Sequence, residues 1–254
     1  MRFAMSEWKA LNGRITLFPT GPQSIPSAAE LYRAVWGAEP DAFQKQPNPL
    51  QPTLAQGRRS QMAATCLTHV TRVDFNLSPV LAPIETGEPK ISLIEDTGRL
   101  FGELKEIIKK IAGGTKVSSV SRIALYLQFA TVRANFLEAN KALTKVMPEQ
   151  YRISVTDEED IIFQVNRPRK SGKVEGLRMN FVTKWSVDNV QVMVALSAGA
   201  APWTKNFLTA SVSFDYNNVA EAALTTEQQS QLLHECLGEA SETQRSIGLN
   251  VEGF

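Results

Sequence analysis

Cysteine and histidine are scarce in this chain, with two of each in 254 residues. Cys66 and Cys236 stand 170 positions apart, which excludes a small disulfide-stapled fold. No staple is needed at this length, because such a chain removes roughly 70 to 75% of its unfolded surface from water. Both thiols are expected to be free in a reducing cytoplasm. Net charge is lacking too: 27 Lys and Arg stand against 26 Asp and Glu, so no overall field pulls the protein toward nucleic acid or anionic lipid. Any such contact has to be local. Long apolar runs are missing as well. The weakly polar stretch from Val192 to Trp203 is broken by Ser197 and Pro202 and falls well short of the ~20 residues that span a bilayer. The first nine residues lack the apolar core of an export signal. A cytoplasmic protein with no membrane contact is the expectation.

Catalytic signatures are missing in the same way. There is no GxGxxG, GxxxxGK[ST], GxSxG or HExxH, so dinucleotide, P-loop, esterase and zincin chemistry lose their usual support. Ser6 and Lys9 match SxxK without its companion motifs, and Asn76-Leu77-Ser78 is a glycosylation acceptor followed directly by Pro79. Neither is carried forward. No cofactor and no metal is expected, and a non-catalytic role is favoured.

What is present reads as an α+β protein. The run ending in Ile15-Thr16-Leu17-Phe18, halted by Pro19, predicts a strand over 10 to 18. Ser27 and Glu30 have capping-box spacing and Gly37 suits a helix end, which predicts a helix over 28 to 36. From Gln44 to Gln61 the composition turns to Gln and Pro with few large apolar residues, so a long loop is expected. Residues 1 to 61 are set apart on this basis as an N-terminal region, with 62 to 254 as the body, either separate or joined in one unit. No repeat of 20 to 50 residues recurs, which argues against a solenoid or propeller.

Met62 to Leu77 predicts a strand or a bent pair. Asp96 begins the clearest helix, whose Leu100, Phe101, Leu104, Ile107, Ile108 and Ile111 form one apolar stripe closed by Gly113-Gly114. Val117 to Phe129 predicts a strand, and Thr131 is placed as the cap of a helix ending before Pro148. Strands are expected over 151 to 156, 160 to 167, 174 to 187, 190 to 197 and 207 to 216, then a helix from Thr226. The short turns at 169 to 172 and 188 to 189 favour an antiparallel meander, because a parallel pair needs a long crossover. Helices, including the C-terminal one, are expected to cover one face of the sheet.

Five constellations are weighed for function. Cys66 with His69, and His234 with Cys236, contain every Cys and His in the chain and raise a zinc site. Residues three apart on a strand face opposite ways, and residues two apart on a helix lie about 200° around the axis, so neither pair chelates. A Cys66 and His234 nucleophile pair is the remaining thiol chemistry.

Residues 166 to 184 carry Arg167, Arg169, Lys170, Lys173, Arg178 and Lys184 against Glu175 alone, while residues 217 to 254 are acidic. The basic ribbon either binds an anion such as nucleic acid or faces the acidic helix within the molecule. The acidic turn Asp157 to Asp160 lacks the glycine and ligand spacing of a calcium loop. Val73-Asp74-Phe75-Asn76 and Phe214-Asp215-Tyr216-Asn217 echo each other, so Asp74, Asn76, Asp215 and Asn217 either line a pocket or simply end strands. Lastly, Leu31, Tyr32, Val35 and Trp36 on the first helix, with Phe43 after it, form an aromatic face for a protein partner or for the protein's own sheet.

These features rank three expectations. A binding or complex-forming subunit, with a protein partner or as a homo-oligomer, comes first. A nucleic-acid-contacting protein using the ribbon comes second. A ligand-binding or hydrolytic domain with a pocket under the C-terminal helix comes third.

Overall fold

Polar and apolar residues alternate along the strand Lys9–Pro19 (β1), so Gly13, Ile15 and Leu17 turn to one side while Asn12, Arg14, Thr16 and Phe18 turn to the other. The computed structural model describes residues 8–20, 25–45, 51–81, 90–114, 117, 119–154, 160–194 and 203–249. Within these, β1 lies near the middle of an antiparallel sheet with Ala42–Gln44 (β2), Thr53–Arg59 (β3), Met62–His69 (β4), Arg72–Pro79 (β5), Val120–Arg133 (β6), Ile162–Asn166 (β7), Arg169–Lys170 (β8), Arg178–Val194 (β9) and Trp203–Asn218 (β10). The order is β2-β3-β4-β5-β1-β6-β10-β9-β7, with β8 pairing β9. Four helices, Ala28–Trp36 (α1), Thr97–Ala112 (α2), Phe136–Val146 (α3) and Thr226–Ser246 (α4), pack on one side. The expected α+β class and its one-sided helical cover are both present.

The helix stripes explain the cover. All six apolar residues expected on α2 are buried, and Leu100 and Leu104 close over β1 so tightly that a Cβ on Gly13 would meet them at 3.0 and 3.3 Å. On α1, Leu31, Tyr32, Val35 and Trp36 are buried over β3 and β4, and the Trp36 and Phe75 rings meet edge to face with their centres 6.0 Å apart. Trp185 of β9 is fully buried and donates its indole N–H to the Val146 carbonyl of α3 at 3.2 Å. Aromatic burial with the polar handle satisfied is the favourable case for such side chains.

The chain repeats its topology. Apart from the short β2 and β8, each half reads strand, helix, three strands, helix: β1, α1, β3, β4, β5, α2, then β6, α3, β7, β9, β10, α4. In each half the last strand pairs the first, and the two first strands pair each other at the centre. Ile15 pairs Leu125 there, Phe75 pairs Ile15 and Tyr216 pairs Leu125. A pseudo-two-fold axis therefore passes through the Ile15 and Leu125 pair and exchanges Asp74 with Asp215 and Asn76 with Asn217. The two four-residue echoes are equivalent positions of the two halves.

Several local expectations are corrected. Residues 53 to 59 lie inside the expected loop yet form β3, whose buried positions are Ala55 and Gly57. Small residues leave no apolar signature, and the space they leave holds Tyr32: a Cβ on Gly57 would come within 2.4 Å of its hydroxyl. Thr131 caps nothing, since it sits buried within β6 opposite Ala210 while Asn135 caps α3. Asp188 and Asn189 do not turn; β9 runs straight through them, pairing Asp188 with Thr209 and Asn189 with Leu208. Of the strand expected over 151 to 156, Tyr151 ends a 3-10 turn at Glu149–Tyr151, residues 152 to 154 form no strand, and 155 and 156 lie outside the described residues. Cap residues inside strands mislead because the ladder satisfies their backbone first.

Candidate functional site

No described helix packs on the second side of the sheet. Strand alternation assigns that open face its residues in rows that follow the pairing register. One row runs Asn76, Arg14, Tyr126, Asp215, and its neighbour runs Asp74, Thr16, Ala124, Asn217. The four echoed residues thus stand at the corners of a rectangle about 14 Å by about 7 Å, three strand spacings by two residues. The fold brings them onto one side of the sheet around the pseudo-dyad, with Asp74 and Asn217 buried, Asn76 half-buried and Asp215 exposed.

The two acids are engaged differently. Asp74, 4% exposed, accepts the Thr16 hydroxyl at 2.7 Å and pairs with Arg72 at 3.0 Å. Asp215 is exposed and accepts from the Asn217 amide at 3.1 Å. Asn217 in turn accepts from Asn180 at 3.3 Å, and Asn180 accepts from Asn166 at 3.3 Å. An amide ladder therefore crosses β7, β9 and β10, leaving donors and acceptors at the surface.

Aromatic rings on this face lie under cations. The guanidinium of Arg14 sits 5.3 Å from the centre of the Tyr126 ring, that of Arg122 sits 5.1 Å from the Phe18 ring, and the Lys205 ammonium sits 5.3 Å from the Phe207 ring. Burial pushes the Tyr126 phenol above its ordinary range, with the Ser213 hydrogen bond and the Arg14 charge opposing. Arg14 and Arg122 make no ion pair with a described residue. The ring contact helps to hold each of them in place, and no described carboxylate pairs with it. Arg58, Arg178 and Lys184 share the face by alternation.

The basic ribbon is divided. Lys170, Arg178 and Lys184 belong to the open face, whereas Arg169 reaches the helical side, 4.2 Å from the centre of the Phe181 ring and 2.5 Å from the Glu239 carboxylate of α4. Beside it, the Ser171 hydroxyl and the Gly172 amide donate to Glu235 at 2.5 and 3.0 Å. The intramolecular answer to the acidic helix holds for this turn. Arg167 and Lys173 are exposed.

Of the proposed partner face, Leu31, Tyr32, Val35 and Trp36 are 1, 1, 4 and 7% exposed, each spent on the core, while Phe43 is 45% exposed. Cys66 points into the core beneath α1 and His69 points to the open face. His234 is exposed on α4 with its ring nitrogen 2.8 Å from the Ser230 carbonyl, and Cys236 is buried. Burial raises both thiols far above their ordinary range. The Cys66 and His234 pair is not brought together. No metal cluster occurs among the described residues, and no described helix is long and apolar enough to cross a membrane. The acidic turn at 157 to 159 lies outside the described residues.

A cleft of about 370 Å³ lies in the helical layer, lined by Ala34, Glu106, Lys109, Lys110, Gly113 and Gly114. It holds none of the echoed residues. Arg14 and Arg122 were legible in the period-2 placement of polar residues in β1 and β6, whereas Arg58 lies on β3, whose small buried residues leave no such pattern. No protein-family model, no curated protein and no solved structure matches the chain.

Proposed function

We propose that the protein is a non-catalytic binding module that contacts nucleic acid through the open face of its sheet. One observation carries the reading: Arg14 and Arg122 are stacked over Tyr126 and Phe18 at the centre of a polar face, with no ion pair to a described residue. A guanidinium held over a ring, with no described carboxylate paired to it, is suited to a phosphate or a base edge. The side-chain amides around it supply donors and acceptors. Assembly through α1 has less to stand on, because its aromatic side chains are inside the protein.

Fluorescence anisotropy with labelled nucleic acid tests this. Four phosphate contacts, from Arg14, Arg122, Arg58 and Lys184, predict an affinity that falls roughly 150-fold between about 50 and about 200 mM salt. Arg14→Gln and Arg122→Gln each lower the salt slope by about one. Arg169→Gln leaves it unchanged. Salt-independent binding, or none, ends the reading.

A further inference from the structure

We infer that two copies of this chain join through the outer edge of β7, strand to antiparallel strand, with Gln164 of each copy on the two-fold axis. The inference does not depend on nucleic-acid contact. The backbone, the side chains and the charges of this edge each lead to it.

The backbone comes first. β7 ends the sheet on one side, and its register with β9 runs unbroken from Ile162 with Ser186 to Asn166 with Val182. The Val187 amide donates to the Ile161 carbonyl, and the Arg167 amide donates to the Phe181 carbonyl. Antiparallel alternation therefore turns the backbone groups of Phe163 and Val165 toward β9 as well, and those of Ile162, Gln164 and Asn166 outward. The outward groups meet no strand among the described residues. Pro168 takes the next outward position and has no N–H, so the edge stops donating at Asn166. Laid antiparallel against itself about Gln164, this edge pairs Ile162 with Asn166 of the second copy, and Gln164 with Gln164. All are hydrogen-bonded pairs, so every outward donor and acceptor of β7 is used.

The side chains leave the edge open. Charge and proline are two devices that keep edge strands single, and Ile162–Asn166 carries neither. Ile162 is 71% exposed, more than any other large apolar residue of the described strands. On the helical side, self-pairing sets Phe163 against Val165 of the second copy, an aromatic and β-branched cross-strand pair. Phe163 is half-buried and already placed, its ring centre 5.2 Å from that of Tyr151 and 5.8 Å from that of Trp185.

Charge selects a second copy as the occupant. Asp160 precedes the strand and Lys170 follows it, both exposed and neither ion-paired with a described residue. Lys170 keeps the β7 register, pairing Arg178 of β9. Asp160 then stands opposite Pro168 of the second copy, with Lys170 of that copy its diagonal neighbour on the same face, about 7 to 8 Å away. The two-fold makes this contact twice. Parallel pairing would set acid beside acid and cation beside cation.

Sedimentation velocity of the full chain without nucleic acid, loaded between about 5 and about 200 μM, tests this. The average mass is expected to rise from that of one chain toward that of two. Gln164→Pro removes an N–H that β9 does not use, once in each copy, and is expected to weaken association about tenfold. Ile162→Lys is expected to weaken it too, and thermal melting shows that each variant folds. Under mild oxidation Gln164→Cys is expected to give a disulfide-linked dimer, because Cα atoms across such a pair lie about 5.5 Å apart. Asn166→Cys, about 14 Å from its counterpart, is expected to stay unlinked. Cys66 and Cys236 are buried and take no part. A chain that remains single at the highest concentration overturns the inference. So does association that survives Ile162→Lys in a normally melting protein, or cross-linking of Asn166→Cys as readily as Gln164→Cys.

Discussion

Ile15 and Leu125 face each other across the two central strands, and both are fully buried beneath the helices. Each is the equivalent of the other in the two halves of the chain, so the same pair closes the core and marks the pseudo-dyad. Leu125→Ala removes packing at a site with no solvent to fill the gap. An equilibrium urea titration is expected to show a loss of about 2 to 5 kcal/mol. Val132→Ala, at a position 36% exposed on the same strand, is expected to cost under about 0.5 kcal/mol. Equal costs would mean that the centre of the sheet is not tightly packed.

Gly57 is required by Tyr32. A methyl at position 57 would sit 2.4 Å from the phenol oxygen, which is held in a buried side chain. Gly57→Ala is expected to destabilise by about 1 to 3 kcal/mol. In a Tyr32→Phe background, where that oxygen is gone, the same change is expected to cost at most half as much. Identical costs in both backgrounds would place the strain elsewhere.

Arg169 is spent on α4 and not on a ligand. Its pair with Glu239 is part-exposed, so a double-mutant cycle with Glu239→Gln is expected to return a coupling of about 0.5 to 1 kcal/mol that shrinks with salt. A coupling of zero would show that the turn does not dock on the helix in solution.

The two thiols give stability a dependence on pH. Burial raises Cys66 and Cys236, so the folded state keeps both protonated while the unfolded chain ionises above about 8.5. Their contribution is therefore full below that pH and declines as pH rises above it, by up to about 1.4 kcal/mol per pH unit for each thiol. Removing both thiols, as Cys66→Ala with Cys236→Ala, is expected to flatten the stability curve between about pH 8.5 and 9.5. In the native protein a thiol reagent is expected to react only after denaturant is added. Prompt reaction at pH 8 would contradict the burial.

Most of the elements were legible locally. The α2 stripe, the Ser27 and Glu30 capping box and the alternation in β1 are written in residue spacing, because a helix face and a strand face each impose their own period. β3 was hidden because its buried positions are Ala55 and Gly57, whose smallness serves Tyr32 and carries no hydrophobic signal. The straight course of β9 through Asp188 was hidden because those residues favour turns when no partner strand is present.

The echoed Asp and Asn pairs were visible as a repeated motif, and alternation put Asp74 with Asn76 and Asp215 with Asn217 on single faces. That the two pairs share one side of the sheet, related by an axis through Ile15 and Leu125, was decided by the order in which ten strands assemble. Local sequence determines the period of each element and which side of it is apolar. Only the tertiary pairing decided which strands became neighbours, because register joins residues more than a hundred positions apart and local propensity carries no record of that partner. The same pairing assigned Arg169 to α4, and it placed Arg14 and Arg122 together on the face no described helix covers.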